Sequence, residues 1–334
     1  MTIRPTIKSI ARDLGISHMT VSRALANRDN VKEETRRAIL EYARKVGYVK
    51  SAAAETMRGG STRIIGLLLP NIVNEYYARL ADRMASGCRR LNHHLIIHIT
   101  GDDTDAERDA FEQLAQLQAA GIAFVPAPGS SLSDVTYPMA RTVQLIRRQG
   151  DSSEGTFIGI DDATTIAEAT RHLIESGCRK VAMVAGGRNL STGRARQDAF
   201  LDGLRRAGAR EEAGVIVDGK PSFDLGRTAL LRMADDPDIT GLVCGGFEIS
   251  NGAVSAYMEQ PESWRHGFRL IGYGDPLFYA WLDGGISTID PPVAALADRA
   301  LEVLLDDGPS PRAASSHVFG TELIDRSPGL RPKA

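Results

Sequence analysis

The segment Thr6–Leu25, TIKSIARDLGISHMTVSRAL, constrains the fold more tightly than any other part of the chain. Ile7, Ile10, Ala11 and Leu14 recur at helical spacing, which places them on one face of a short helix. Thr6 precedes that helix as an N-cap, and Gly15 follows it where a left-handed backbone would stop it. Ser17 then opens a second helix in which Val21, Ala24 and Leu25 point inward while His18, Met19, Ser22 and Arg23 point outward. Such a pair around a tight turn is a helix-turn-helix, the arrangement that lays its second helix along the DNA major groove. A plain surface helical hairpin is the other reading of the same pattern.

Charge favours the first reading. Residues 1–63 hold thirteen Lys or Arg against six Asp or Glu, a net of plus seven, so the remainder carries minus nine in a chain whose total is minus two. A basic module on an acidic body is the electrostatic footprint of a phosphate-binding head, even where the whole chain is near neutral. After a polar turn at Asn27–Asn30 comes VKEETRRAILEYARKVGY (Val31–Tyr48), a third helix with Ala38, Ile39, Tyr42, Ala43 and Val46 inward, closed by Gly47.

Through these residues the chain resembles the lactose-repressor (LacI) family of bacterial transcription regulators over nearly its whole length. The pattern T-x-x-x-(I/V)-A-x-x-(A/L)-G-(V/I)-S-x-x-T-V-S-R, followed by E-E-T-R and G-Y, is met by Thr6, Ala11, Gly15, Ser17, Thr20, Val21, Ser22, Arg23, Glu34, Thr35, Arg36, Gly47 and Tyr48. The resemblance implies that His18, Met19 and Arg23 reach base edges, Arg23 as a bidentate donor to guanine. Thr6, Ser17, Thr20, Ser22 and Thr35 would bond phosphates, a helix cap or a solvated side chain being the alternative for each hydroxyl. It also implies a hinge helix over residues 50–62, KSAAAETMRGGST, with Met57 as the apolar wedge in the minor groove, an ordinary linker residue being the alternative. Lys50 stands where the family has Pro, and Glu55 where it often has Arg. The head is therefore assigned to 1–49 and the hinge helix and linker to 50–62.

From Arg63 onward apolar strands alternate with amphipathic helices. IIGLLLP, LIIHIT and IAFVPAP come first; a second set follows with TFIGID, KVAMVAG, VIVDG, TGLVCGG, FRLIGYG and ISTID. The expected body is α/β with parallel sheets, and its roughly 270 residues call for two lobes. It resembles the periplasmic-binding-protein-like effector domain of the same family, whose chain crosses between lobes three times. Crossings near Gly159, Asp290 and Gly320 give a first lobe of 63–158 with 291–319 and a second of 159–290 with 320–334.

Other classes find little support. Cys88, Cys178 and Cys244 are scattered, odd in number and without metal-ligand spacing, so they read as reduced thiols, and neither a metal nor a cofactor is expected. No segment is apolar for long enough to span a membrane, and MTIRPTIKSI lacks the apolar run of a signal peptide. A cytoplasmic, nucleoid-associated protein is expected. GGRNLSTGR (Gly186–Arg194) has neither the spacing nor the Lys of a phosphate loop, and GYGDPL at Gly272 lacks the third glycine of a dinucleotide fingerprint. The Asp-Asp pairs beginning at Asp102, Asp161, Asp235 and Asp306 lie at strand ends or turns. With no nucleophile and base in sight, an enzyme is not expected.

For the cleft the resemblance nominates Asn74 and Tyr76, from PNIVNEYY with Glu75 in place of Pro, and Arg196 in STGRARQDAF, whose alternative is a surface helix charge. Asp161, in GIDD, matches an interlobe Asp or caps a helix. Several family positions differ: Gly246-Phe247 stands for Asn-Asp, Gly274-Asp275 for Asp-Asp, and Pro221 for an aromatic residue. Phe247, Tyr273 and Asp275 would then form a different surface, with Phe247 alternatively plain core. Losing matched donors and acceptors argues against a simple hexose and for a small polar metabolite such as a sugar acid or derivative.

The function expected is a homodimeric, DNA-binding transcriptional repressor, controlled by a metabolite in the interlobe cleft and bound to a roughly palindromic operator. A small-molecule binding module without effector-controlled DNA binding is the alternative.

Overall fold

The computed structural model describes residues 5–25, 30–48, 62–130, 141–149, 155–306 and 315–326. The expected hinge helix, Met57 included, lies outside the described residues. The chain divides into two compact units, Met1–Thr62 and Arg63–Ala334.

Among the described residues the first unit holds three helices: α1 (Ile7–Asp13), α2 (His18–Leu25) and α3 (Glu33–Lys45). Thr6 and Ser9 close a reciprocal cap on α1: the Thr6 hydroxyl accepts the Ser9 N–H at 3.1 Å, and the Thr6 N–H donates to the Ser9 hydroxyl at 2.8 Å. Gly15, at φ +67°, makes the left-handed turn that lets α2 fold back across α1. Ile10, Ala11, Val21, Ala24, Ile39 and Ala43 bury themselves in one small core. Ala38, expected inside, is exposed, because the face of α3 turned to that core runs through Ile39, Tyr42 and Ala43. The Tyr42 hydroxyl donates to Asp13 at 3.1 Å and ties α3 to the end of α1.

Among the described residues the second unit contains two six-stranded sheets. In chain order its elements are β1 (Ile64–Leu69), α4 (Glu75–Arg90), β2 (His94–Ile99), α5 (Thr104–Gln116), β3 (Gly121–Phe124), β4 (Arg141–Leu145), β5 (Thr156–Asp161), α6 (Ala163–Glu175), β6 (Lys180–Gly186), α7 (Ser191–Arg206), β7 (Gly214–Gly219) and α8 (Phe223–Ala234). There follow β8 (Ile239–Gly245), α9 (Phe247–Met258), α10 (Glu262–Arg265), β9 (Arg269–Tyr273), β10 (Ser287–Asp290), α11 (Val293–Leu305), β11 (Ser315–Gly320) and β12 (Glu322–Ile324). The first sheet runs β11-β5-β4-β3-β1-β2, all parallel; the second runs β12-β10-β9-β8-β6-β7, parallel except for the β10–β12 pair.

Parallel sheets are covered on both faces, so their central strands are continuously apolar, as IIGLLL and KVAMVAG are. In the first lobe α4 and α11 seal one face, with Leu80, Met84, Leu296 and Leu301 buried, and Phe111 and Leu114 of α5 seal the other. The chain passes from one sheet to the other after Asp161, Asp290 and Gly320.

TFIGID, grouped above with the second set, belongs to the first sheet. Gly159, Ile160 and Asp161 pair with Val318, Phe319 and Gly320 of β11, so β5 stays in the first lobe past residue 158. The strands β4, β11 and β12 carry too many polar residues to stand out in sequence; the sheets recruit them by pairing.

Candidate functional site

In the first unit α2 presents its outer face as its periodicity requires. His18, Met19 and Arg23 are exposed, Met19 by 52 %, while Val21 and Ala24 are buried beneath them. The Ser17 hydroxyl accepts the Thr20 N–H at 3.1 Å and lies 2.9 Å from the Thr20 hydroxyl, so Ser17 caps α2 at the end that a recognition helix turns toward DNA. Thr6 caps α1; Ser22 and Thr35 are half-buried.

In the second unit the two lobes face one cleft of about 590 Å³, part of it continuous with solvent. From the first lobe come Asn74, Tyr76 and Tyr77 at the start of α4, Ile146 and Arg147 after β4, and Ile160 of β5. From the second come Thr192 and Arg196 of α7, Pro221 between β7 and α8, Gly246, Phe247 and Glu248 around the start of α9, and Tyr273 at the end of β9. These positions lie at the carboxyl ends of parallel strands, where open α/β sheets place their ligands.

Arg196 is buried, not a surface charge. Its Nε donates to Asp162 Oδ2 at 2.6 Å, its Nη1 to the Gly245 carbonyl at 2.9 Å and its Nη2 to the Tyr273 hydroxyl at 2.6 Å. The Tyr273 hydroxyl in turn donates to Asp162 Oδ2 at 2.6 Å, and the guanidinium carbon lies 4.3 Å from the Tyr273 ring centre. Burial raises the hydroxyls of Tyr76, Tyr77 and Tyr273 above the ordinary phenol value, so all three face the cleft neutral. The carboxyl of Glu248 is likewise raised by desolvation.

Two nominated residues lie elsewhere. Asp161 is exposed, and its carboxylate accepts the Ala163 N–H at 3.2 Å at the head of α6; its neighbour Asp162 is buried and holds Arg196. The extended end of β5 turns successive side chains to opposite sides, so a shift of one residue exchanges cap and network. Asp275 is taken by Arg326, which donates to its two oxygens at 2.7 and 2.9 Å, while its carbonyl accepts Arg79 of the first lobe at 3.0 Å. It braces the lobes and does not line the cleft.

Phe247 is both core and cleft wall. It stands at the start of α9 in the second lobe, yet its buried side chain belongs to the core of the first. Gly274, at φ +83°, lets the ring approach, since a Cβ there would lie 2.1 Å from it. Sequence reasoning missed Tyr77, Arg147, Thr192 and Asp162. For Asp162 the signal was the second position of the Asp pair; Arg147 offered only a charge after an apolar strand.

The helical head and the two-lobed body around a cleft define a class of protein, a DNA-reading module in one chain with a ligand-binding fold. Residues 6–51 match the family described as bacterial regulatory proteins, lacI family, and residues 62–297 match periplasmic binding proteins and sugar binding domain of LacI family. The chain belongs to the LacI family of DNA-binding transcriptional regulators, which are not enzymes. It is 24% identical over 327 residues to the transcriptional regulator GalR of Escherichia coli, covering 96% of this chain and 94% of that one. Against the transcriptional repressor PurR of Erwinia tasmaniensis it is 27% identical over 330 residues, 96% of each chain. A lac repressor dimer bound to operator and the anti-inducer ONPF shares the fold, with a TM-score of 0.81 at 16% identity over 98% of this chain and 100% of that one. Among the described residues no helix is long and apolar enough to cross a membrane.

Proposed function

We propose that this regulator is a homodimeric repressor whose hold on a palindromic operator is set by a small polar metabolite, a sugar, sugar acid or derivative, held between its lobes. What carries this reading is the cleft, in which buried polar side chains of both lobes face one shared space. A ligand touching both lobes favours one lobe angle over another, and that difference is the free energy available to change DNA affinity. His18, Met19 and Arg23 read bases; Thr6, Ser17, Thr20, Ser22 and Thr35 bond phosphates. Dimerisation is supported by exposed apolar side chains: Ile97 and Ile99 on β2, the end strand of the first sheet, and Leu277 and Trp281 in the second lobe. The relatives named repressors and the operator-bound dimer of the same fold support the same reading, and its working place is the cytoplasm, on the nucleoid.

The experiment is selection of genomic fragments by the purified protein, with and without residues 1–60, followed by titration of operator affinity with metabolites suggested by the adjoining genes. A palindromic site lost on truncation, with an effector shifting affinity by about 1–3 kcal/mol, is the expected result. Enrichment of no fragment under any metabolite overturns it.

A further inference from the structure

The two arginines of the cleft differ in what they have left to give. All three nitrogens of Arg196 are engaged, with Asp162, the Gly245 carbonyl and Tyr273. Arg147, 7 % exposed and facing it from the first lobe, donates Nη1 to Asp102. Its Nε and Nη2, the parallel edge of the guanidinium fork, make no hydrogen bond among the described residues. In the same cleft the Tyr76 hydroxyl, on a residue 4 % exposed, has no partner among the described residues. The Tyr76 hydroxyl is a buried donor left unmade, which costs free energy comparable to a lost hydrogen bond, and with the open fork edge of Arg147 in the same cleft it points to a group that completes them.

The backbone holds Arg147 there under strain. Ile146 has φ +66°, rare for a β-branched residue, and the Arg147 N–H turns back on the Leu145 carbonyl at 2.6 Å. Asp102, its partner, also has a left-handed backbone, φ +65°. Asp tolerates that conformation, so the strain lies at Ile146, and its cost beside an ion pair at a cleft wall points to a site and not to plain core.

We propose that Arg147 is the anion receptor of this cleft and that the ligand is a small hydroxylated oxyanion, a carboxylate or a phosphate ester, whose charged end meets the Nε–Nη2 fork and the Tyr76 hydroxyl. A planar fork matches two oxygens of such a group better than any neutral hydroxyl. Glu248, a cleft carboxylate in no ion pair among the described residues, accepts hydroxyls from the ligand's uncharged end. This rests on the reading of the cleft as the effector site and narrows the effector's chemistry.

The test is calorimetric titration of the full-length protein with matched sets: gluconate, glucose phosphate and glucose; glycerate, glycerol phosphate and glycerol. At least one anion is expected to bind about tenfold or more tightly than its neutral parent, and the better of carboxylate and phosphate names the source. Arg147→Gln removes that preference. So does the double variant Asp102→Asn with Arg147→Gln, which leaves no buried carboxylate unpaired and so keeps the fold. Binding of no anion at millimolar concentration, a neutral parent bound as tightly as its anions, or an anion preference surviving in the double variant overturns the proposal. Anion binding without any change in operator affinity leaves Arg147 in this role and removes the regulatory reading; an operator response to neutral sugars alone does the reverse.

Discussion

Arg196 and Asp162, 34 residues apart in the chain, are joined by a 2.6 Å bond between buried groups, and both meet the single hydroxyl of Tyr273. Removing one member of such a network leaves its partners desolvated and short of bonds. Tyr273→Phe is expected to lower stability by about 1–3 kcal/mol, and Asp162→Asn, which strands a buried guanidinium, by about 3–5 kcal/mol. Urea unfolding measures both. The double variant should lose less than the two separate losses added together, because the residues share one network.

Phe247 belongs to one lobe by sequence and to the other by packing. Phe247→Ala should therefore cost about 3–5 kcal/mol, the range for emptying a buried aromatic site. Calorimetric unfolding checks it; a loss within error of zero would mean that the ring does not hold the lobes together.

Glu107 is buried and accepts the Ala127 N–H at 2.7 Å. Desolvation raises its carboxyl above the ordinary 4.5, against the pull of that N–H. The folded state thus binds this proton more tightly than the unfolded chain, so the group's contribution to stability falls as pH rises from about 4.5 through the folded value. Glu107→Gln, which still accepts from Ala127, should remove that fall and be the more stable protein at neutral pH. Unfolding midpoints of both proteins across that range, read as a difference, decide it.

In the head, Arg23 and Lys8 are both exposed, on different helices. Arg23→Ala should cost about 1–3 kcal/mol on the selected operator and little on random DNA, while Lys8→Ala should weaken both alike and reduce the salt slope by about one. Fluorescence anisotropy at several salt concentrations separates the two; equal losses on both DNAs for both variants would remove the division between reading and positioning.

The head was legible because its determinants are local. Ile10, Val21 and Ile39 declare their faces by spacing, and Thr6, Gly15 and Ser17 mark helix ends by backbone chemistry that needs no distant partner. The alternation of strand and helix likewise gave the α/β body. TFIGID was placed with the wrong sheet because a strand's own residues do not say which edge they will join; β5 goes where β4 and β11 pair with it.

By itself, then, the sequence determined the helix-turn-helix and the parallel-sheet body, set by periodicity, capping and strand patterning over a few residues, while its resemblance to the LacI family pointed to Asn74, Tyr76, Arg196, Phe247 and Tyr273 among the residues that line the cleft. Tertiary structure alone decided that Asp162 and not Asp161 holds Arg196, that Asp275 serves Arg326, and that Arg147 enters the cleft. Those choices depend on side-chain direction at strand ends and on partners dozens to hundreds of residues away, and burial assigns each charge to the partner that can follow it out of water.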